Sequence, residues 1–225
     1  MCLILLAWQV PGRHALVVAA NRDEFHGRAA SPAGFWQDKP SVLAGRDLEA
    51  MGTWMGVSRA GRFAAVTNYR GAHEPRAVES RGALVTRFLS EPVAPERYVK
   101  SFSGKLYSGF SLLVTDGEEL WSVSNRDGAP KRLEPGIYGL GNLLLDSPDV
   151  EAHKQRFVPA LDPAPAMEAL FSVLAPARIV NPTYGTRCST VLLKSGDGRV
   201  RYAERGFDSS GADGETVHHE FIITR

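Results

Sequence analysis

Two apolar runs near the start of the chain constrain its fold more than any other feature. Apart from Gln9, the runs Leu3–Val10 and Ala15–Ala20 are apolar at successive positions, and a Pro-Gly-Arg-His segment, residues 11–14, joins them. Runs of this length between turn residues are typical of β-strands, and they indicate a hairpin in a sheet that is covered on both faces. The first run has no basic segment before it and is too short for a signal peptide or a membrane helix. We therefore expect a cytoplasmic protein without a membrane span.

The rest of the chain alternates pairs of strands with pairs of helices. Because the helices come in pairs and not one after each strand, the order disfavours a doubly wound parallel sheet. It favours an α+β fold with helices outside two antiparallel sheets, formed by residues 1–225 as one domain, with a mobile loop at Ser209–Gly214. The predicted strands are 52–58, 62–67, 110–115, 119–124, 190–194, 200–204 and 217–224, and the predicted helices are 80–89, 95–102, 150–161 and 166–174.

Charge and cysteine content exclude several classes of protein. The 26 basic and 25 acidic residues leave a net charge of +1, so we expect no nucleic-acid partner, which normally requires a basic excess. A chain of this length can bury roughly 70% of its unfolded surface and needs no disulfides to fold. Cys2 and Cys188 alone cannot form a zinc site. The adjacent His218 and His219 would point to opposite faces of a strand, so we predict no metal site.

Cys2 is the strongest candidate in the sequence for a catalytic residue. Removal of Met1 would give Cys2 a free α-amino group with a pKa of about 7.7–8.0, and this amine could act as general base for the thiol of the same residue. A thiol also begins closer to ionisation than a hydroxyl does, at a pKa of about 8.5. The alternative is a small buried residue at the start of a strand, which is a common role of unpaired cysteine and the one we assign to Cys188.

Polar residues also end several of the apolar strands. Asn21–Glu24 follow the second apolar run, Asn68 ends the strand over 62–67, Asn142 follows a glycine-rich run, and Arg187 precedes the apolar residues 188–193. Side chains at several strand ends can converge on one site, and asparagine amides can donate to a developing oxyanion. For Asn21–Glu24 the alternative is a solvated turn with a surface ion pair.

An ordered set of motifs resembles a known family over nearly the whole chain. The motifs are Met1-Cys2, Asn21-Arg22-Asp23-Glu24, Gly52-Thr53-Trp54, Thr67-Asn68-Tyr69-Arg70, Ser80-Arg81-Gly82 and Tyr184-Gly185-Thr186-Arg187. Together they are similar to the NRDE family, also called the Transport and Golgi Organisation 2 family. That family in turn resembles the N-terminal nucleophile (Ntn) hydrolases of the bile-salt hydrolase and penicillin V acylase type. The resemblance implies a four-layer αββα sandwich.

The resemblance also implies roles for individual residues. Cys2 matches the nucleophile, Asp23 the aspartate that holds its amino group, and Asn68 the asparagine of the oxyanion hole. The acylase arginine falls at Ala20, whereas this chain has Arg22 two residues later, on the same face of a strand. The implied catalytic residues are Cys2, Asp23, Asn68, Asn142 and Arg187, and the candidate substrate-binding residues are Asn21, Arg22, Trp54 and Tyr69.

Two functions follow from this resemblance. The first is an N-terminal cysteine amidohydrolase that acts on a non-peptide C–N bond of a linear amide or acyl substrate and needs no cofactor. The second is a non-catalytic trafficking protein on the same fold, which handles haem, lipid or acyl-CoA and has haem as its ligand. The expected partner is therefore a small molecule or haem, and the sequence leaves the oligomeric state open.

Overall fold

The computed structural model describes residues 2–10, 14–71, 77–161 and 165–224. The chain divides into two compact units. The first contains Met1–Ala29, Pro135–Gly141 and Leu145–Ile222, and the second contains Ala30–Glu134, Asn142–Leu144 and Ile223–Arg225. A single domain over 1–225 stays a prediction. None of the helices in the described ranges has the length and apolar character to cross a membrane.

The described residues form thirteen strands and four α-helices. The strands are β1 (Leu3–Trp8), β2 (Leu16–Phe25), β3 (Ala30–Phe35), β4 (Val42–Asp47), β5 (Met55–Ser58), β6 (Phe63–Asn68), β7 (Phe110–Thr115), β8 (Leu120–Ser124), β9 (Lys131–Leu133), β10 (Gly136–Leu140), β11 (Tyr184–Lys194), β12 (Arg199–Phe207) and β13 (Asp213–Ile222). The helices are α1 (Gly82–Ser90), α2 (Pro95–Ser101), α3 (Glu151–Phe157) and α4 (Met167–Leu174).

The first unit is a six-stranded antiparallel sheet in the order β10-β1-β2-β11-β12-β13, together with α3 and α4. Alternate side chains of β1 and β2, such as Leu5 and Val17, belong to one core cluster with Phe157 of α3 and Leu170 of α4. The side chains between them, such as Leu6, are equally buried. Both faces of these two strands are therefore covered, and the predicted hairpin is confirmed, although its turn residues 11–13 lie outside the described ranges.

The second unit is a seven-stranded antiparallel sheet whose strands follow chain order from β3 to β9, together with α1 and α2. The face of α1 that its periodicity predicts to be apolar is buried, and Phe88 of this face packs on Tyr98 of α2 with 5.1 Å between ring centroids. Arg62, the residue immediately before β6, donates from Nε to the Phe88 carbonyl at 2.9 Å. This bond satisfies a carbonyl in the last turn of the helix, where no intrahelical donor is available.

The structure decides between the two alternatives for Asn21–Glu24 and shortens a predicted loop. Asn21–Glu24 lie within β2 and not in a turn after it, because β2 continues to pair with β11 as far as Phe25 and Tyr184. This pairing satisfies the backbone groups that a turn would leave to solvent. The predicted loop Ser209–Gly214 is also too long, since β13 begins at Asp213 and pairs there with Phe207.

The sequence prediction also missed four strands, namely β3, β4, β9 and β10. β3 contains Pro32, and its pairing with β4 shifts register between Ser31 and Gly34. Proline is tolerated there because β3 is the edge strand of its sheet and needs no donor on its outer side. Such irregular edge strands lack the regular alternation on which sequence-based recognition depends.

Candidate active site

Cys2 lies immediately before β1 and contacts the backbone of Asp23. The antiparallel register pairs Leu3 with Asn21, which brings the residue before Leu3 alongside Arg22 and Asp23. The Asp23 N–H donates to Cys2 Sγ at 3.3 Å, and Sγ donates to the Asp23 carbonyl at 3.4 Å. Cys2 as a whole residue is partly exposed. The hairpin register therefore joins the first two residues of the predicted catalytic set.

The surroundings of the Cys2 thiol favour its protonated form. Burial raises the pKa of this thiol, and the negative charge of Asp23 raises it further. The Asp23 N–H and the positive charge of Arg22 act in the opposite direction but do not reverse the shift. Because the thiolate is the reactive nucleophile, Cys2 needs a base to remove its proton at neutral pH.

Asp23 is held by side chains from the beginning of β11. Its carboxylate Oδ1 accepts a hydrogen bond from Thr186 Oγ1 at 2.7 Å, and the same Oγ1 accepts one from the Ile179 N–H at 2.8 Å. The Asp23 carbonyl accepts a third bond from the Tyr184 hydroxyl at 3.3 Å. Asp23 and Thr186 are both buried, so these bonds fix the orientation of the carboxylate.

Tyr184 and Thr186 belong to one of the family motifs, but the sequence alone predicted no role for either of them. The signal that could have identified them is their spacing. Residues two apart in a strand point to the same side, so one strand can hold both the backbone and the carboxylate of Asp23. Recognising this required the pairing of Thr186 with Asp23, which only the sheet register gives.

Asn21 and Arg22 occupy opposite faces of β2. Asn21 Nδ2 donates to the Leu174 carbonyl at the end of α4 at 3.1 Å, while its Oδ1 accepts from Ser189 Oγ at 2.6 Å. Arg22 shares the face of Ala20, as predicted, and its Nη2 lies 3.9 Å from the Glu24 carboxylate. Asn21 therefore links the helix to the sheet, whereas Arg22 is the residue whose charge acts on Cys2. Their substrate-binding roles stay predictions.

Arg187 closes the turn that follows β2. Its Nη1 donates to the carbonyls of Phe25, His26 and Arg28 at 2.9, 3.1 and 3.2 Å. A guanidinium with several donors suits this task, because it satisfies three backbone acceptors from one position. The structure thus places Arg187 next to the end of the strand that carries Asp23, and its catalytic role stays a prediction.

The remaining predicted residues belong to the second unit, where Asn68 and Asn142 lie together. Asn142 Nδ2 donates to the Asn68 carbonyl at 2.9 Å, and the Arg70 N–H donates to the Asn142 carbonyl at 2.7 Å. Asn142 is buried, whereas Asn68 is exposed at the end of β6. Asn142 therefore fixes the backbone of Asn68 and leaves the Asn68 amide accessible. Trp54 and Tyr69 are partly exposed in the same unit.

No three His, Cys, Asp or Glu side chains in the described part of the chain are placed to hold a metal ion. His218 and His219 lie next to each other in β13, where alternation directs them to opposite faces. Cys188 is buried in β11 opposite Arg22. Haem binding stays a prediction.

Two solved hydrolase structures share the fold of this chain. The Caenorhabditis elegans N-acylethanolamine-hydrolyzing acid amidase ortholog matches with a TM-score of 0.57 and 15% identity, over 85% of this chain and 92% of that one. The C2A mutant of the conjugated bile acid hydrolase from Clostridium perfringens matches with a TM-score of 0.55 and 9% identity, over 100% and 98%. At these identities the similarity concerns the fold alone. The chain thus has the Ntn-hydrolase fold, and the predicted fold class is confirmed.

Sequence similarity then identifies the family. The model of the family Transport and Golgi organisation 2 matches residues 1–181. The Transport and Golgi organization protein 2 homologs of Bos taurus and Homo sapiens are 35% and 32% identical to this chain, each over 99% of both sequences. The chain belongs to the Transport and Golgi organisation 2 family, which confirms the resemblance inferred from the motifs.

Proposed function

We propose that this protein is an N-terminal cysteine hydrolase that cleaves the C–N bond of a linear, non-peptide amide. The observation that carries the proposal is the contact of Cys2 Sγ with the backbone of Asp23, whose carboxylate is fixed by Thr186. A thiol at the start of a strand could be a simple packing residue. The ordered carboxylate beside the thiol instead supports a nucleophile.

In the proposed reaction, Cys2 Sγ attacks the carbonyl carbon of the amide. Removal of Met1 exposes the α-amino group of Cys2, and this amine accepts the thiol proton and delivers it to the nitrogen of the leaving group. The C–N bond breaks and an acyl thioester forms on Cys2. Water then attacks the thioester, which releases a carboxylic acid and restores the thiol.

The pKa of the Cys2 thiol supports the need for this amine. Burial and the charge of Asp23 keep the thiol protonated, whereas an α-amino group with a pKa of about 7.7–8.0 is partly neutral at physiological pH and can accept a proton. Once protonated, the amine is stabilised by a nearby carboxylate. We assign this role to Asp23, whose orientation Thr186 fixes.

The other predicted residues complete the proposal. We assign Asn68 as the amide donor to the oxyanion, a kind of contact whose removal typically slows catalysis about 10²–10³-fold, and Asn142 as the residue that fixes the Asn68 backbone. We assign to Arg22 a positive charge that favours ionisation of the Cys2 thiol. We assign to Arg187 the positioning of the turn that follows the strand with Asp23. The names of the two structural neighbours, an amidase and a conjugated bile acid hydrolase, support an amide or acyl substrate.

Covalent labelling tests the nucleophile. An acyl chloromethyl ketone, whose thioether adduct is stable, should add once to the wild-type protein, and intact mass should show no adduct in Cys2→Ala. Cys188→Ala is the matched control and should be labelled like the wild type, because Cys188 is buried. Labelling that persists in Cys2→Ala would contradict the proposal. A mass that retains Met1 in the purified protein would contradict the role of the amine.

A further inference from the structure

A hydroxyl outside the predicted catalytic set shares a hydrogen-bond acceptor with the nucleophile. Tyr184 begins β11 and pairs with Phe25 of β2. Its hydroxyl donates to the Asp23 carbonyl at 3.3 Å, and the same carbonyl accepts from Cys2 Sγ at 3.4 Å. The phenol of Tyr184 and the thiol of Cys2 therefore meet at one oxygen atom.

Packing and register together place the hydroxyl of Tyr184. Its ring stands edge-on to the ring of Phe25, with 5.2 Å between centroids and 76° between planes. Such an edge-to-face arrangement is a favourable geometry for two aromatic rings. Phe25 itself is 61% exposed, so this pair lies at the surface end of β2, next to Asp23.

The shared carbonyl affects the two forms of Cys2 differently. A neutral thiol gains from donating its proton to the Asp23 oxygen, whereas a thiolate has no proton to donate and is repelled by the negative end of the carbonyl dipole. A hydrogen bond that stabilises only the neutral form opposes ionisation. A second donor on the same oxygen weakens this opposition, because it withdraws charge from the oxygen and competes for its lone pairs.

We propose that Tyr184 is a positioning residue that favours ionisation of Cys2 by donating its hydroxyl to the Asp23 carbonyl. The inference deepens the proposed function, because it concerns the activation of the same nucleophile. Its catalytic meaning rests on the proposed function, whereas the effect of Tyr184 on the ionisation of Cys2 can be measured independently. In the described part of the chain, Asp23 and Arg22 of β2 are charged groups that act on the thiol, and the α-amino group of Cys2, once Met1 is removed, is a further titratable group beside it. Tyr184 is the titratable side chain that β11 places on the Asp23 carbonyl.

The test is the pH profile of Cys2 alkylation in the full-length protein. Iodoacetamide reacts with the thiolate, and mass spectrometry of the Cys2 peptide separates this reaction from that of Cys188. In Tyr184→Phe the midpoint of the profile should move to higher pH, and the rate below the midpoint should fall about two- to five-fold, because one hydrogen bond to the shared oxygen is lost. The plateau at high pH should stay the same, since all of the thiol is then ionised in both proteins.

A matched control separates the hydroxyl from the ring packing. Phe25→Leu removes the aromatic partner of Tyr184 but keeps the hydroxyl, and its midpoint should stay near that of the wild type. Tyr184→Leu also lacks the hydroxyl and should repeat the shift of Tyr184→Phe. Thermal unfolding of each variant checks that it is folded. A Tyr184→Phe midpoint equal to that of the wild type, or an equal shift in Phe25→Leu, would overturn the proposal.

Failure of the proposal for Tyr184 can be distinguished from failure of the proposed hydrolase function. If Cys2 takes the acyl label but its alkylation does not depend on Tyr184, the role of Tyr184 is wrong and the nucleophile stands. If alkylation of Cys2 depends on Tyr184 but the acyl probe does not label Cys2, the proposed hydrolase function is wrong and the role of Tyr184 stands.

Discussion

At the scale of single residues, the candidate site depends on how Asp23 is held. Thr186 relays a hydrogen bond from the backbone of Ile179 to the Asp23 carboxylate, and all the bonds in this relay are short and directed. A buried carboxylate that loses such a donor keeps its desolvation cost without compensation. The same side chains therefore contribute to stability and to the orientation that the proposed mechanism needs.

Thr186→Val tests this double role. The substitution keeps the shape of the side chain but removes the donor to Asp23 and the acceptor for Ile179, so we expect the free energy of unfolding to fall by about 1–3 kcal/mol. Urea unfolding measures the loss, and labelling of Cys2 by the acyl probe should slow in the same variant. Thr186→Ser keeps the hydroxyl and should lie much closer to the wild type. Equal stability of the valine variant and the wild type would argue against the relay.

At the scale of elements, regular periodicity made some segments predictable and irregular pairing hid others. The 3.6-residue spacing of Leu84, Val85 and Phe88 predicts α1, and the structure buries that face. β2 is different, since its polar second half resembles a turn until the partner strand β11 is known. Local pattern is sufficient where an element packs on one face, and it fails where a partner distant in sequence supplies the hydrogen bonds.

The two faces of α1 should differ strongly in their tolerance of substitution. Phe88 is fully buried and contacts Tyr98 and Arg62, so Phe88→Ala should destabilise the protein by about 3–5 kcal/mol through lost burial and a cavity. Arg87 lies on the exposed side and pairs with Glu79. Arg87→Ala should therefore cost no more than about 1 kcal/mol, the usual range for a surface ion pair. Chemical denaturation compares the two variants, and similar losses would refute the assigned orientation of the helix.

At the scale of the whole molecule, several buried acids have raised pKa values. Burial is the largest cause for the thiols of Cys2 and Cys188 and for the phenols of Tyr98 and Tyr202, and the charge of Glu204 raises the pKa of Cys188 and Tyr202 further. Each group keeps its proton in the folded protein at a pH where the unfolded chain has lost it. The folded state then binds more protons, so stability falls as pH rises.

Alkaline unfolding should show this linkage. The stabilisation is complete below the unfolded thiol pKa of about 8.5 and declines above it, by about 1.4 kcal/mol per pH unit for each such group, until the folded pKa is reached. We therefore expect the urea midpoint to fall between about pH 8.5 and 10. Cys188→Ala removes one of these groups and should make the decline less steep. A midpoint that is constant over this range, or a decline that the variant leaves unchanged, would contradict the assignment.

The amino-acid sequence was sufficient to identify the family, the fold class and the principal candidates for chemistry. Apolar runs and period-two alternation are local signals, so the hairpin of β1 and β2 and the helix α1 could be derived from them. Cys2, Asp23 and Asn68 could be selected because their residue types and order match a family. The contact of Cys2 with Asp23 follows from the hairpin register, which is itself a short-range property.

The side chains that hold these residues could be identified only in the folded chain. Thr186 and Tyr184 reach Asp23 from more than 160 positions away along the chain, since the bonds join residues separated by 163 and 161 positions. No local pattern encodes such a pairing, because strand register is fixed by the packing of the whole sheet. The environment of Cys2 is likewise set by burial and neighbouring charge, and these exist only in the folded chain.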